Sequence, residues 1–178
     1  MKNIKLLVVS LLACLCVSTS AYADNSNKFD MGILFDISAP SGVALGVEAR
    51  LPYTPWMKLG VAATALTYPG IRGSVLLDPI RFPIAPIVEA DFGHQFTMSA
   101  PVIQNSPTVS FNYFSGLGGI GLGSRDHFRF MLLAGMSYLD GYVGNVEKTF
   151  SLPTGFSIAN PTFHGWAPSA KLGFNVLF

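Results

Sequence analysis

Apolar and polar residues alternate in short segments along the chain after residue 24, and clusters of Pro, Gly, Ser and Asn separate these segments. Alternation with period two is typical of strands that have one polar and one apolar face, and the clusters are typical of turns. The pattern predicts eight strands, at approximately residues 28–37, 43–51, 57–67, 71–78, 84–97, 108–123, 128–142 and 166–178. The sequence therefore predicts an all-β protein.

Charged residues concentrate on one face of the predicted strands. The residues on this common face are Lys28, Asp30, Asp36, Glu48, Arg50, Lys58, Arg72, Asp78, Glu89, Asp91, Arg129 and Lys171. Six are acidic and six are basic, which predicts a set of ion pairs rather than a face with a large net charge. Asp140 departs from the parity set by Arg129, and it lies near the predicted outer end of its strand.

The opposite faces carry apolar side chains, such as Leu45 and Val47 in the second strand and Leu172 in the last. Alternation alone does not decide which face is interior, because a soluble barrel is apolar inside and a membrane barrel is apolar outside. Besides its charges, the polar face here carries many Gly, Ala, Ser and Thr residues, which suit a narrow interior. We therefore expect a polar, ion-paired lumen and an apolar outer surface.

The composition agrees with this arrangement. Only 12% of the 178 residues are charged, about half the fraction in a typical soluble domain, and 50% are hydrophobic. The 18 Gly and 12 Pro residues help to break the apolar runs beyond residue 23, so membrane-spanning helices are not expected. The 11 Lys and Arg residues nearly balance 10 Asp and Glu residues, so no nucleic-acid partner is expected.

The N-terminus has the three parts of an export signal. Lys2 and Lys5 precede the apolar run 6–17, and a small-x-small site follows that ends at Ala23. Residues 1–23 are accordingly predicted to be a signal peptide that is removed, and residues 24–178 to form one barrel domain.

Both cysteines of the chain, Cys14 and Cys16, lie in the segment predicted to be removed. The mature protein is therefore expected to form no disulfide. A competing interpretation is that the residues before Cys14 form a lipoprotein cleavage box, in which case Cys14 becomes the acylated first residue.

Two predicted connections are long, 98–107 and 143–165, and both follow odd-numbered strands. Outer-membrane barrels have short periplasmic turns and long extracellular loops, so this asymmetry favours an eight-stranded antiparallel up-and-down transmembrane β-barrel. Aromatic residues are expected to form a belt at each membrane boundary. The inner belt comprises Phe29, Tyr53, Trp56, Phe82, Phe128 and Phe178, and the outer belt Phe96, Phe111, Tyr113, Tyr138, Tyr142 and Trp166.

The last strand alternates through Phe174 and Val176 and ends on Phe178 with no residue after it. This segment resembles the C-terminal signature of bacterial outer-membrane β-barrel proteins, and the chain resembles the small eight-stranded class of OmpA, OmpX and OmpW type. The resemblance implies that Phe174, Val176 and Phe178 form the signal that the barrel-assembly machinery reads. It also implies an outer-membrane location, with outer-membrane lipid and lipopolysaccharide as partners.

The glycine-rich run and the histidines of the chain do not predict a nucleotide or metal site. The run 116–121 fits G-x-G-x-x-G, but no helix-forming segment follows it, so a glycine-rich strand is expected instead of a nucleotide site. His94, His127 and His164 are far apart in sequence, and no metal site or cofactor is expected.

The expected function is a non-enzymatic structural or surface-interaction role, in which residues 98–107 and 143–165 contact an extracellular ligand or partner. One alternative is a narrow channel for small apolar molecules. Another is a lipid A-modifying hydrolase, for which His164 with Ser151 or Ser157 and Glu147 is the set that can be assembled from the sequence.

Overall fold

The structure, a computed structural model, describes residues 29–52, 54–65, 69–80, 82–97, 108–144 and 161–178. Its eight strands form one closed antiparallel barrel in which each strand pairs with its neighbours in chain order and β8 closes on β1. They are β1 (Asp30–Ser38), β2 (Gly42–Leu51), β3 (Thr54–Ala65), β4 (Gly70–Leu77), β5 (Ile84–Gln95), β6 (Thr108–Gly123), β7 (Phe128–Gly144) and β8 (Thr162–Leu177). The predicted all-β, eight-stranded antiparallel barrel is confirmed.

The barrel has two ends of different construction. We call the end with connections 52–53, 78–83 and 124–127 the terminal end, because β1 begins there and β8 ends there. The opposite end, with connections 39–41, 66–69, 96–107 and 145–161, is called the loop end. Within the described residues, no helix is long and apolar enough to cross a membrane.

The strands are strongly tilted relative to the barrel axis. A row of register partners on the outer face runs through His164, Asp140, Asn112, His94, Ile71, Ala63, Leu45 and Phe35, and returns to β8 at Phe174. The row returns ten residues further along β8 than it started. A sheet of tilted strands closes into a barrel only with such a stagger. The row therefore starts near the loop end at β8 and lies progressively further from that end as it passes through the neighbouring strands toward β3.

Three strands extend beyond the rest at the loop end. β6, β7 and β8 have 16, 17 and 16 residues, whereas the other strands have 8 to 12. The pairing of β8 with β1 stops at Lys171, so the first part of β8 pairs with β7 alone. We call the projecting part of these three strands the extension.

The prediction that 143–165 forms one connection was wrong at both ends. Pairing of β7 with β8 continues to Tyr142 and Thr162, and Val143 N donates to Pro161 O at 2.9 Å. Gly165 carries a turn signal in the sequence, but once the strands are aligned each further pair adds backbone hydrogen bonds across the ladder. The connection is shortened to 145–161.

The two faces of the strands differ sharply. Outward positions carry large apolar side chains that are exposed, such as Leu45 at 60%, Val61 at 64% and Ile84 at 68%. Inward positions carry most of the ionised side chains, and Lys58 and Arg72 are only 1% and 2% exposed. Two members of the predicted outer aromatic belt, Phe111 and Tyr113, do not fit this scheme: they share the parity of inward Ser115, and Tyr113 is buried.

Candidate functional site

At the terminal end, arginine side chains close the lumen. Arg50 donates to Asp30 at 3.1 Å, to Asp126 at 2.9 Å and to the carbonyl oxygen of Arg125 at 2.5 Å. Arg125 is buried and donates to the carbonyl oxygen of Asp78 at 3.1 Å. The turn 124–127 is thus held across the end of the barrel by hydrogen bonds from β2 and to the end of β4.

Arg129 makes a second set of contacts at the same end. It donates to the carboxylate of Asp78 at 2.9 Å and to the carbonyl oxygens of Phe82 and Gly123 at 3.0 and 2.7 Å. Asp78 lies just beyond the end of β4, and its burial raises the pKa of the carboxyl group while Arg129 and Lys58 act in the opposite direction. A carboxylate that is fully buried needs such a partner, because an unpaired buried charge is strongly unfavourable.

In the middle of the lumen, a carboxylate bridges three strands. Glu48 of β2 lies 3.4 Å from Lys58 of β3 and accepts a hydrogen bond from the amide of Asn175 on β8. All three side chains are buried. The contact from Asn175 crosses the seam between β8 and β1, so it helps to hold the barrel closed.

Lys171 lies at the centre of the largest group of acids. It is 2.6 Å from Glu89, 3.5 Å from Asp91 and 3.6 Å from Asp36. Arg72 contacts Asp36 through two nitrogens and lies 3.8 Å from Asp91. Three acids therefore share two bases, and the five side chains join β1, β4, β5 and β8 through the interior.

The remaining interior is filled mainly by apolar residues and hydroxyl groups. Buried apolar side chains form a cluster on the β4 to β7 side of the lumen, made of Leu76, Ile87, Leu117, Met131 and Leu133. Hydroxyl groups of Ser115, Ser137 and Ser169 form a hydrogen-bonded chain across β6, β7 and β8. A cavity that is lined by ion-paired residues and by Leu76 and Met131 of the apolar cluster has a volume of about 10 Å³, which is barely enough for one water molecule.

The structure places eleven of the charged residues singled out by the sequence in ion pairs: Asp30, Asp36, Glu48, Arg50, Lys58, Arg72, Asp78, Glu89, Asp91, Arg129 and Lys171. Lys28 lies outside the described residues. Sequence reasoning missed Arg125 and Asp126, which it assigned only to a turn, and the apolar cluster. An arginine in a short turn beside inward-facing acids is the signal that could have pointed to Arg125.

Phe174 and Val176 of the proposed assembly signal lie on β8 beside β1 and β7, and Phe178 directly follows the end of β8. The Phe174 ring packs against Phe35 of β1 at 5.4 Å and against Phe128 of β7 at 6.1 Å between ring centroids. Val176 pairs with Ile33 and with Phe128, and Phe178 is exposed. The segment therefore contributes both backbone pairs and ring contacts to the closure of the barrel.

A second polar group lies on the outer face near the loop end. His94, Asn112, Asp140 and His164 are register partners on β5 to β8, and register partners in a sheet point to the same side. His94 Nδ1 is 2.8 Å from Asn112 Oδ1, and its Nε2 is 3.5 Å from Ser110 Oγ. We call His94, Asn112, Asp140 and His164 the outer polar row.

The weaker chemical motifs find no support as sites in the described residues. No three His, Cys, Asp or Glu side chains of the described segments are placed to hold a metal ion. The glycine run 116–121 lies inside β6 and is followed by strand, as expected. Of the set considered for a hydrolase, His164 lies opposite Asp140, whereas Ser151, Ser157 and Glu147 lie outside the described residues.

No protein-family model, curated protein or solved structure matches this chain.

Proposed function

We propose that the mature chain is an integral β-barrel protein of a bacterial outer membrane, exported by residues 1–23, with a non-enzymatic structural or surface-interaction role. The observation that carries the proposal is the inversion of polarity across the barrel wall. Lys58, Arg72, Arg129 and Lys171 are almost fully buried inside, whereas large apolar side chains are exposed on every strand outside.

This distribution suits lipid and does not suit water. A lysine or arginine on a lipid-facing position at mid-bilayer costs about 2–4 kcal/mol, so lipid would keep basic residues on the inner face. In water, by contrast, contiguous apolar patches larger than a few hundred Å² are rare on monomers because they cause association. Closure of the barrel meets a further requirement of a bilayer, since it leaves no open sheet edge along the closed part of the wall.

The two ends support one orientation. The connections at the terminal end are short, and the connections 96–107 and 145–161 at the loop end are the longest of the barrel. Outer-membrane barrels place short turns in the periplasm and long loops outside, so the terminal end is assigned to the periplasm. On this assignment the exposed rings of Tyr138 and Trp166, 5.4 Å apart, lie at the outer boundary.

The interior favours a scaffold over a pore. Ion pairs and the apolar cluster fill the described lumen, and a barrel of eight strands is just wide enough for its side chains. The proposed partners are outer-membrane lipid and lipopolysaccharide around the wall, and the assembly machinery at Phe174, Val176 and Phe178. An extracellular ligand or partner would be contacted through residues 98–107 and 145–161.

A second candidate function, a narrow channel for small apolar molecules, is favoured by one feature. On the lumen side of the extension the residues share an apolar character and are half-buried: Val109, Phe111, Leu139, Val143, Phe163 and Ala167. An apolar molecule could enter there, but the ion pairs around Lys171 lie below. Planar-bilayer conductance and uptake of an apolar solute into vesicles test this candidate, and it fails if neither is observed.

The experiment that tests the main proposal is fractionation of cells that express the full chain, combined with gel mobility of unboiled and boiled samples. We expect the protein in the outer-membrane fraction, without residues 1–23, and with a mobility shift on boiling because a closed barrel resists detergent until heated. A soluble periplasmic protein would overturn the proposal. An N-terminus that begins with an acylated Cys14 would replace the predicted cleavage site by the lipoprotein site.

A further inference from the structure

A groove of about 480 Å³ opens on the outer face of the barrel over β3 to β6. Its outward-facing walls are apolar and include Val61, Ile71 and Phe92, each more than half exposed. The tip of the Phe92 ring lies over Gly73, where a Cβ atom would collide with it, so the ring can lie along the wall because Gly73 has no side chain. The volume falls within the range of about 300–1,000 Å³ that is typical of small-molecule sites.

The groove also reaches two polar side chains of the outer polar row, His94 and Asn112. His94 Nδ1 is 2.8 Å from Asn112 Oδ1, and the imidazole packs edge-on against Phe96 with 4.7 Å between ring centroids. These contacts fix the orientation of the imidazole beside the groove. We call His94 and Asn112 the polar pair.

The polar pair has an acceptor and donors to offer a ligand. Asn112 Oδ1 can only accept, so in the neutral imidazole Nδ1 of His94 carries the hydrogen and Nε2 is an acceptor. Ser110 Oγ is 3.5 Å from Nε2, but it donates its single hydrogen to the carbonyl oxygen of Gln95 at 2.9 Å, so no described residue donates to Nε2. The amide nitrogen of Asn112 keeps two hydrogens that no described residue accepts. Unmade hydrogen bonds beside lipid are unfavourable, so the pair suits a ligand that both donates and accepts.

The tilt of the strands gives the depth of the groove below the outer boundary, where Trp166 is assigned. Neighbouring strands are about 4.8 Å apart and tilted by about 40°, so each step along a row of register partners leads about 3 Å away from the loop end. Two residues along one tilted strand span about 5 Å of depth. His94 then lies about 4 Å below Trp166, and Val61, five strands from Trp166 in its row, about 15 Å below it. Half of a hydrocarbon core is about 15 Å thick, so the groove follows the outer leaflet from the start of the acyl chains to their ends.

Lipids differ in the hydrogen-bonding groups that they carry where their acyl chains begin. The chains of a glycerophospholipid are joined by esters, which only accept hydrogen bonds. Lipid A, the membrane anchor of lipopolysaccharide, carries amide N–H groups and hydroxyl groups at this depth in addition to carbonyl oxygens. Lipid A can therefore donate to Nε2 of His94 and accept from the amide of Asn112, whereas a glycerophospholipid ester can do only the second.

We propose that the groove and the polar pair form a binding site for the lipid A part of lipopolysaccharide. One acyl chain lies along Val61, Ile71 and Phe92. A hydroxyl or amide N–H group at the start of the chain donates to His94, and a carbonyl oxygen there accepts from Asn112. This inference rests on the proposed function, because it takes the terminal end as periplasmic and the groove as facing the outer leaflet, and it gives one of the proposed partners a defined site.

The test uses the purified mature barrel in dodecyl maltoside and measures lipid binding by native mass spectrometry. Lipid A and cardiolipin are titrated separately. Cardiolipin is the matched comparator, because it also carries two phosphates and several acyl chains, but its chains are joined by esters alone. We expect lipid A to bind about tenfold more tightly, because cardiolipin leaves Nε2 of His94 without a donor and an unmade hydrogen bond away from water costs about this factor. Equal affinities, tighter binding of cardiolipin or no binding of lipid A would overturn the inference.

Substitution of the polar pair tests the hydrogen bonds. His94→Phe keeps an aromatic ring and removes both nitrogens, and we expect it to abolish the preference for lipid A over cardiolipin. His164→Phe is the control, because it makes the same change in the same row of register partners, three strands away on β8, and it should keep the preference. Asn112→Leu removes the amide donor and should lower the preference at least threefold. If His94→Phe and His164→Phe show the same preference, the polar pair does not bind lipid A.

Substitution of the groove tests the position of the acyl chain. Val61→Trp places a large ring in the groove and should lower the affinity for lipid A at least threefold. Val88→Trp makes the same change on an outward position outside the groove and should leave the affinity unchanged. If the two variants bind lipid A alike, the acyl chain does not lie in the groove.

Loss of folding is separated from loss of binding by the mobility shift on boiling. Asn112→Leu provides a second probe of the polar pair if His94→Phe lacks the shift, and the comparison of lipid A with cardiolipin on the parent protein needs no variant. The fractionation experiment decides the membrane location on its own. A barrel found in the outer membrane without a preference for lipid A would contradict this inference and leave the proposed function standing.

Discussion

The inner and outer faces of the same strands differ in the polarity of their side chains. Inside, Arg72 and Lys171 are buried among acids, and each makes at least two contacts with them. Outside, positions such as Leu132 and Val61 are half exposed or more and carry no polar atoms. The wall of this barrel therefore has a small polar interior and an apolar outer face, which reverses the polarity of a water-soluble barrel.

The largest effect is expected inside, from Arg72→Ala. The substitution leaves Asp36 buried with only Lys171, at 3.6 Å, as a cationic partner. Removal of one member of a buried ion pair costs about 3–5 kcal/mol, because the other charge stays desolvated. Urea unfolding of the barrel in lipid vesicles, followed by tryptophan fluorescence, measures this free energy.

The double variant Asp36→Ala/Arg72→Ala is the control for this interpretation. It removes both charges, so we expect it to cost less than the sum of the two single substitutions. Strictly additive free energies would mean that the two side chains do not stabilise each other, which would contradict an ion pair between Asp36 and Arg72.

On the outer face, Leu132→Arg is expected to cost about 2–4 kcal/mol in vesicles, because it places a charge on the lipid-facing wall. Leu132 is 52% exposed and lies on β7 between outward-facing residues of β6 and β8. Thr162→Arg, at the start of β8 in the extension, should cost at most about 1 kcal/mol, since a charge there reaches water. The same urea titration compares the two, and equal costs would contradict the lipid-facing assignment.

The polarity of each face could be predicted from the sequence because it is a local property. Side chains alternate with period two, so Glu48 and Arg50 had to share a face whatever their partners were. The same argument places Lys171 and Asn175 on one face of the last strand. It could not give the partners, because these depend on the stagger of ten residues around the barrel, which no single strand encodes.

The interior apolar cluster and the ends of the last two strands were harder to predict. Leu117 and Leu133 face the lumen, yet an inward leucine and an outward leucine look alike in a segment that is rich in both. Gly165 and Pro161 indicate a loop locally, whereas pairing with β7 keeps Gly165 in the strand. Arg125 lies in a turn and donates a hydrogen bond to Asp78 inside the lumen. The period-two alternation of strands does not predict where a side chain in a turn points.

The smallest effect is expected where the interior meets water, from Asp126→Ala at the terminal end. Asp126 accepts a hydrogen bond from Arg50 at 2.9 Å, but its side chain is 45% exposed, and Arg50 keeps its contacts with Asp30 and with the carbonyl oxygen of Arg125. An exposed ion pair of this kind contributes about 0–1 kcal/mol. Because salt screens exposed pairs and hardly affects buried ones, the difference from the parent protein should vanish in about 1 M salt, while the cost of Arg72→Ala should persist. A cost for Asp126→Ala similar to that for Arg72→Ala would contradict this expectation. It would mean that water is excluded from the ion pairs at the turn 124–127 as completely as from those in the middle of the lumen.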